Sequence, residues 1–141
     1  MKRPSVMHAM ATPMDDRYFS RAATWYRMNQ QLVVHDSFSP KAPRVITMEP
    51  WHEVAFMAAD GEHTVDEFVQ HMGLEYEGGM PPGLREQIHG IVNELVGEGI
   101  LRLHEQPKPL PPYFAEQYFS EPREVRKAQM EQDGLIGGDR R

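Results

Sequence analysis

Apolar and polar positions follow a strand-like pattern in three short stretches of the first half of the chain. Residues 24–28 and 31–38 are rich in β-branched and aromatic side chains and are separated by only two residues. This pattern predicts two strands joined by a tight connection. The two prolines of residues 39–43 indicate a loop, because proline has no N–H to donate to a strand ladder. Residues 44–48 are the third predicted strand.

After Pro50 the apolar positions repeat at the spacing of an α-helix. Proline suits the first turn of a helix, so we expect a helix that begins at Pro50 and ends where Asp60 and Gly61 follow. Thr64 and Glu67 have the spacing of a capping box, in which each side chain accepts a hydrogen bond from the other residue's backbone N–H. The apolar residues after this box lie three and four positions apart: Val65, Phe68, Val69 and Met72. They predict a second helix.

A third helix is predicted after a loop rich in glycine and proline, residues 73–83. The apolar residues that follow this loop again repeat at helical spacing: Leu84, Ile88, Ile91, Val92 and Leu95. Residues 100–104 alternate apolar and polar side chains and predict a strand that returns to the sheet as a wing. Three strands, three helices and a wing strand give an α+β fold with a winged-helix-like layout.

The two ends of the chain differ from this central region, residues 21–105. Residues 1–20 are rich in methionine, proline and charge without a sustained period, so we expect a flexible N-terminal arm. Residues 106–141 form a proline-rich C-terminal tail. A short helix after Ser120 is expected in this tail, and its few apolar residues predict that it frays or docks on a partner.

Charge and composition narrow the function classes. Fifteen Lys and Arg against twenty-one Asp and Glu give a net charge of −6, which does not favour nucleic acid as a partner. The absence of cysteine excludes disulfides and thiolate metal sites from this chain. We find no signal-peptide pattern and no apolar run of membrane-spanning length, and we expect a cytoplasmic protein without a membrane partner.

The sequence lacks the common catalytic and metal-binding patterns. His52 and Glu53 begin like the zinc-protease motif, but Phe56 stands where the second histidine belongs. No serine lies in a nucleophile elbow, and no glycine-rich stretch connects a strand to a helix as a phosphate loop does. We therefore expect no catalytic residue, no metal and no cofactor in this chain.

The edge of the predicted sheet is the strongest candidate binding feature. An uncovered strand edge is a template for an incoming extended peptide, and a groove between the third strand and the third helix would add side-chain pockets. The alternative is that an arm of the same chain, or a second copy, fills this groove.

The central region resembles the PqqD-like proteins, which are the recognition elements of ribosomally made, post-translationally modified peptides. The matching stretches lie within residues 24–105 and are "RVITM", "WHEVAFMAADG", "HTVDEFVQHM" and "LREQIHGIVNELVGEGILRL". In that family three strands precede a three-helix bundle, and the leader of a precursor peptide adds as a strand beside the third strand, against the third helix. The resemblance implies a winged-helix, peptide-binding role in natural product biosynthesis.

The resemblance also assigns candidate site residues. Backbone docking falls on the third strand: Arg44, Val45, Ile46, Thr47 and Met48. Side-chain pockets fall on the exposed side of the third helix: Leu84, Arg85, Ile88 and Val92. The chain departs from the family at Glu49, Pro50 and Trp51, where family members commonly have a polar residue, often Asn, and it also adds the N-terminal arm and the C-terminal tail.

These additions resemble the subtype that holds a separate modifying enzyme in a stable protein-protein complex. One such system that the chain resembles is the small partner of a multinuclear iron, TIM-barrel-like enzyme of 3-thiaglutamate-type peptide tailoring. The resemblance thus implies a larger modifying enzyme with a multinuclear iron site as the partner, and a non-catalytic accessory subunit that captures a leader peptide and presents it.

Two other functions stay open at the level of sequence. A winged-helix DNA-binding regulator would place the third helix in a major groove, although residues 83–99 contain more Glu than Arg. An enzyme subunit would lend one residue, such as His52 or His63, to a shared active site.

Overall fold

A computed structural model of the protein describes residues 13–117 and 123–135. This part of the chain has an α+β fold with two three-stranded antiparallel sheets and five helices. The strands are β1 (Tyr18–Arg21), β2 (Thr24–Met28), β3 (Gln31–Asp36), β4 (Arg44–Thr47), β5 (Asp60–Thr64) and β6 (Leu101–His104). The helices are α1 (Pro50–Ala58), α2 (Val65–Gly73), α3 (Leu84–Gly97), α4 (Pro112–Ala115) and α5 (Arg123–Gln132). None of the described helices is long and apolar enough to cross a membrane.

The first sheet has the strand order β2-β3-β4 and contains the three strands predicted in the first half of the chain. Asn29 and Gln30 connect β2 to β3 with positive φ angles of 54° and 68°. Positive φ at both positions gives the two-residue turn whose twist matches that of antiparallel strands. The cross-strand pairs Trp25↔Val34 and Val34↔Ile46 place these three side chains on the face that packs on the helices.

The second sheet has the order β5-β1-β6 and differs from the sequence prediction. Tyr18–Arg21 is its central strand, although residues 1–20 are assigned to a flexible arm by their sequence. Residues 13–20 therefore belong to the folded part of the chain, and residues 1–12 lie outside the described residues. β5 is also new, because Asp60 and Gly61 are expected only as the end of a helix. Neither strand shows an alternation of apolar and polar side chains.

The helices α1, α2 and α3 close one hydrophobic core against the two sheets. The bounds of α1 and α3 agree with the apolar pattern, and α2 begins with the predicted capping box. The backbone N–H of Glu67 donates to Thr64 Oγ1 at 3.1 Å, and the N–H of Thr64 donates to Glu67 Oε1 at 2.8 Å. The largest completely enclosed side chains of this core include Phe19, Phe56 and Leu32.

The C-terminal segment, defined here as residues 105–117 and 123–135, docks on the same core. The carbonyl oxygen of Phe114 in α4 accepts hydrogen bonds from Arg21 Nε at 2.8 Å and from Trp25 Nε1 at 2.7 Å. Tyr113, Phe114 and Met130 form a second small apolar cluster. The helix expected after Ser120 is present as α5, and it packs on α4 of its own chain; Ser120 itself lies outside the described residues.

Candidate functional site

A groove with a volume of about 430 Å³ runs between β4 and α3. We call it the β4 groove. Its walls are formed by β4, by the start of α1 and by the second half of α3, and its residues are Arg44, Ile46, Thr47, Met48, Glu49, His52, Glu94, Leu95, Glu98 and Ile100. The groove lies where the sequence analysis expects one, between the third predicted strand and the third predicted helix.

One edge of β4 borders this groove without a strand partner. β4 pairs with β3 in the register Val33↔Thr47 and Asp36↔Arg44, and no strand pairs with its other edge within the described residues. Such an edge leaves backbone N–H and C=O groups available to another extended chain. The backbone of β4 therefore offers the hydrogen-bonding groups that strand addition requires.

The C-terminal segment covers other strand edges of the molecule. The backbone N–H of Lys108 donates to the carbonyl oxygen of Gly61 in β5 at 2.7 Å. The backbone N–H of Arg27 in β2 donates to Gln117 Oε1 at 3.0 Å. Within residues 13–117 and 123–135, the C-terminal segment makes no backbone hydrogen bond to β4. The alternative, that an arm of the same chain fills the β4 groove, finds no support in the described part of the chain.

The side chains of β4 alternate between half-buried and exposed positions. Arg44, Ile46 and Met48 are half-buried and line the groove, and Ile46 and Met48 also pack on the core. Val45 is 63% exposed, and Thr47 is exposed as well. Of the five residues assigned to backbone docking, four line the groove, and Val45 does not.

The predicted α3 residues do not line the groove, and their placement on the exposed side of the helix is wrong. Leu84, Ile88 and Val92 are 3%, 1% and 0% exposed and belong to the hydrophobic core. They form the apolar stripe of α3, and such a stripe packs inward. Arg85 is half-buried and its Nη1 lies 2.8 Å from both Asp15 Oδ1 and Asp66 Oδ1, away from the groove.

Glu94 in the second half of α3 and Glu98, the residue that caps the end of α3, are groove residues that the sequence analysis missed. They are four positions apart, so they lie on the same helix face one turn from each other. Leu95 is buried beneath them. The four-residue spacing of the two carboxylates is visible in the sequence, but only the fold shows that this face borders β4.

Arg44 joins β4 to the end of α3. Its Nε donates to Asp36 Oδ2 at 2.7 Å, its Nη1 donates to Glu98 Oε1 at 2.6 Å, and its Nη2 donates to the carbonyl oxygen of Glu98. Lys41 Nζ lies 3.5 Å from the same Glu98 carboxylate. The hydrogen bond from Arg44 and the charge of Lys41 lower the pKa of Glu98. The hydrogen bonds with Asp36 and Glu98 raise the pKa of Arg44.

Asp36 is the buried carboxylate behind this network, with 1% of its surface exposed. Burial alone raises its pKa, but hydrogen bonds from Ser39 and Arg44 outweigh burial, and the pKa of Asp36 lies below its usual value of 3.8. The backbone N–H groups of Phe38 and Ser39 also donate to Oδ1, at 3.3 and 3.0 Å. Asp36 therefore stays ionised and holds both the β3–β4 loop and Arg44 in place.

His52 is the histidine of the β4 groove. Its Nε2 lies 2.7 Å from Glu94 Oε1, and its Nδ1 is buried without a hydrogen-bond partner in the protein. His63, the other histidine considered for a shared active site, lies outside the groove and pairs with Asp60 at 2.8 Å. Among the groove residues, Glu49, Glu94 and Glu98 face Arg44 and His52, which leaves an excess of acidic groups.

The β4 groove combines an open strand edge, an apolar floor and an acidic rim. Within the described residues, no group of three or more His, Asp or Glu side chains could hold a metal ion. Comparisons with protein-family models, with curated proteins and with solved structures find no match for this chain.

Proposed function

We propose that the protein is a non-catalytic, peptide-binding adaptor, and that an extended peptide binds as an added strand along β4. The observation that carries this proposal is the unpaired edge of β4 beside a groove of about 430 Å³. In strand addition, main-chain hydrogen bonds supply affinity and side-chain pockets supply specificity. Both elements are adjacent here.

The side chains of the groove define the peptide that suits it. Ile46 and Met48 offer apolar contact, and the flexible thioether of Met48 adapts to side chains of different shape. Glu49, Glu94 and Glu98 favour positive charge along the rim. The ligand we propose is an extended segment with apolar residues at alternate positions and Lys or Arg between or beside them.

The wider role rests on the resemblance to PqqD-like recognition elements. In this role the peptide is the leader of a ribosomally made precursor, and the adaptor presents it to a larger modifying enzyme that carries the catalytic iron. The adaptor itself supplies no cofactor and no catalytic residue. Arg85, the one arginine of α3, forms ion pairs with Asp15 and Asp66. The alternative of a DNA-binding regulator, with α3 in a major groove, therefore gains no support.

The test begins with a display selection of random peptides against the full chain. The peptide that is most enriched is then synthesised, titrated into the isotope-labelled protein and followed by the backbone amide signals. We expect a saturable interaction whose largest shifts fall on the amides of β4 and on the second half of α3.

Two charge reversals on the same helix separate groove binding from a general effect of charge. Glu94→Lys places a positive charge in the groove and should weaken binding of the selected peptide by about ten-fold. Glu86→Lys makes the same change of net charge at an exposed position outside the groove and should leave the affinity unchanged. Failure to enrich any peptide, largest shifts outside β4, or equal effects of the two variants would each refute the proposal.

A further inference from the structure

A second recess of the molecule lies between the β5-β1-β6 sheet and the C-terminal segment, where the sequence analysis predicts no site. We call it the C-terminal pocket. It has a volume of about 460 Å³, and its residues include Ser20, Arg102, His104, Lys108, Leu110 and Leu135. It shares no residue with the β4 groove. Its volume falls in the range of about 300–1,000 Å³ that is usual for small-molecule sites.

Two adjacent strands bring the polar groups of this pocket together. The register Ser20↔Arg102 and Tyr18↔His104 places Ser20, Arg102 and His104 on one face of the sheet. His104 Nε2 lies 2.7 Å from Ser20 Oγ, and Ser20 is buried. The histidine ring is therefore held in a fixed position at the wall of the pocket.

The charged groups of the C-terminal pocket are mainly basic. Arg102, His104 and Lys108 line it together with the buried Arg21, and Asp133 is the acidic residue of the lining. The carboxylate of Asp133 already accepts a hydrogen bond from Tyr113 Oη. A local excess of basic groups in a chain with a net charge of −6 marks a site that attracts anions.

The pKa of His104 is affected by these neighbouring positive charges. Burial lowers its pKa, and the positive charges of Lys108 and Arg102 lower it further. Because these neighbours repel an additional positive charge, an anion bound among the three side chains would be stabilised by them and would raise the pKa of His104 again.

The backbone of the pocket walls is held by hydrogen bonds within the chain. The backbone of Lys108 is held on β5 by the 2.7 Å hydrogen bond to Gly61, and α4 is held by the hydrogen bonds of Arg21 and Trp25 to Phe114. A pocket that is already ordered loses little conformational entropy on binding. Leu110 and Leu135 give the same pocket an apolar side.

We propose that the C-terminal pocket binds a small organic oxyanion, a carboxylate or a phosphate, whose charged group lies among Arg102, His104 and Lys108 and whose apolar part contacts Leu110 and Leu135. This inference is independent of peptide binding at the β4 groove. It assigns to the segment after β6 a function besides covering the edge of a sheet.

The test uses three probes with the full chain: benzoate, its neutral analogue benzamide, and inorganic phosphate. The side-chain signals of His104 are followed by NMR at constant ionic strength. We expect benzoate to shift these signals saturably and to raise the pKa of His104, and we expect benzamide to do neither. Saturation by phosphate as well as benzoate identifies a general oxyanion site, and saturation by benzoate alone identifies a carboxylate site.

Two substitutions of equal charge provide the control. Lys108→Gln removes a positive charge from the pocket and should weaken benzoate binding by about ten-fold, as expected for the loss of a charge-assisted contact. Lys127→Gln removes the same charge from an exposed position of α5 outside the pocket and should not change it. Saturation by neither anion, equal shifts with benzamide, or equal losses in both variants would overturn the proposal.

Discussion

The β4 groove and the C-terminal pocket are each bounded by an outer strand of a three-stranded sheet. They differ in whether the C-terminal segment packs beside that sheet. At β4 the free edge borders an acidic groove, and the C-terminal segment makes no backbone hydrogen bond to it within the described residues. At the other sheet the same segment crosses β5 and encloses a basic pocket against β1 and β6. Within the described residues the C-terminal segment therefore bonds to the outer strand β5 and leaves the edge of β4 open.

The difference in charge follows from the partners of each region. In the β4 groove three carboxylates, those of Glu49, Glu94 and Glu98, outnumber the guanidinium of Arg44, so the rim is acidic. In the C-terminal pocket Arg102 and Lys108 act together on His104, so the wall stays basic. The two regions should therefore respond differently to changes of sequence, salt and pH.

Removing the contact between the C-terminal segment and β5 should give the largest effect. Gly61 has a φ angle of +79°, and a Cβ at this position would lie 1.8 Å from the carbonyl oxygen of Lys108. We expect Gly61→Ala to lower the free energy of unfolding by about 3 kcal/mol, through backbone strain together with displacement of the segment. Urea unfolding measures the loss, and proteolysis within residues 105–117 measures the displacement.

Gly78→Ala is the control for this prediction. Gly78 has a similar φ angle of +84° but no atom within 4 Å of the added Cβ, so its substitution should cost only about 1 kcal/mol of backbone strain. Benzoate binding should fall in Gly61→Ala, and peptide binding at the β4 groove should persist. Equal losses of stability in the two variants would show that the segment does not depend on close approach to β5.

The second prediction concerns the network behind the β4 groove. Asp36→Asn keeps the shape of the side chain but removes the charge that Arg44 and Ser39 contact. We expect a loss of about 2 kcal/mol in the free energy of unfolding, because hydrogen bonds to a buried side chain become weaker when its charge is removed. Chemical denaturation checks the value. Asp16→Asn changes an exposed carboxylate and should alter the free energy of unfolding little. A loss as large as that of Asp36→Asn would show that burial of Asp36 does not account for its effect.

Some of this architecture is predictable from sequence, and the rest depends on distant contacts. The capping box of Thr64 and Glu67 and the apolar stripe of α3 are local, so the sequence predicts both correctly. β1 and β6 each span four residues and pair with each other across eighty or more positions of sequence. β6 is predicted because Leu101 and Leu103 alternate with Arg102 and His104, and β1 is not predicted because Tyr18–Arg21 has no such alternation.

The candidate site shows the same division. β4 is predicted with its edge, because its composition and its position before α1 are local features. The expected exposed placement of Leu84, Ile88 and Val92 is wrong, because these residues belong to the apolar stripe of α3 and such a stripe packs inward. The contacts of Arg44 with Asp36 and Glu98 depend on the fold, since eight and fifty-four positions separate these residues from Arg44.

The third prediction is a pH dependence of the Asp36 network. The folded pKa of Asp36 is lowered, so its ionised form contributes stability that is present above the usual pKa of 3.8 and is lost as the pH falls through the lower folded pKa. We therefore expect the stability difference between the original chain and Asp36→Asn to narrow as the pH falls from about 6 to about 3. Denaturation curves at several pH values measure it. A difference that stays constant or widens towards low pH would contradict the assignment.

The smallest effect on stability is expected for the exposed contact between Glu94 and His52 at the rim of the β4 groove. The side chain of Glu94 is 68% exposed, so Glu94→Gln should change the free energy of unfolding by less than about 0.5 kcal/mol. The same substitution should have a relatively larger effect on the affinity for the selected peptide, because the Glu94 carboxylate lies in the groove and attracts the positively charged peptide as it approaches.

Salt distinguishes this electrostatic role from a structural one. Affinity of Glu94→Gln for the peptide should be lower than that of the original chain at low salt, and the two affinities should converge as the ionic strength rises, because salt screens the charge of an exposed carboxylate. Titration of the peptide by calorimetry over a series of salt concentrations measures both chains. Benzoate binding at the C-terminal pocket should be the same in both, since Glu94 is not one of its residues. A loss of affinity that is independent of salt, or that appears at both sites, would mean that Glu94 supports the fold rather than the acidic rim.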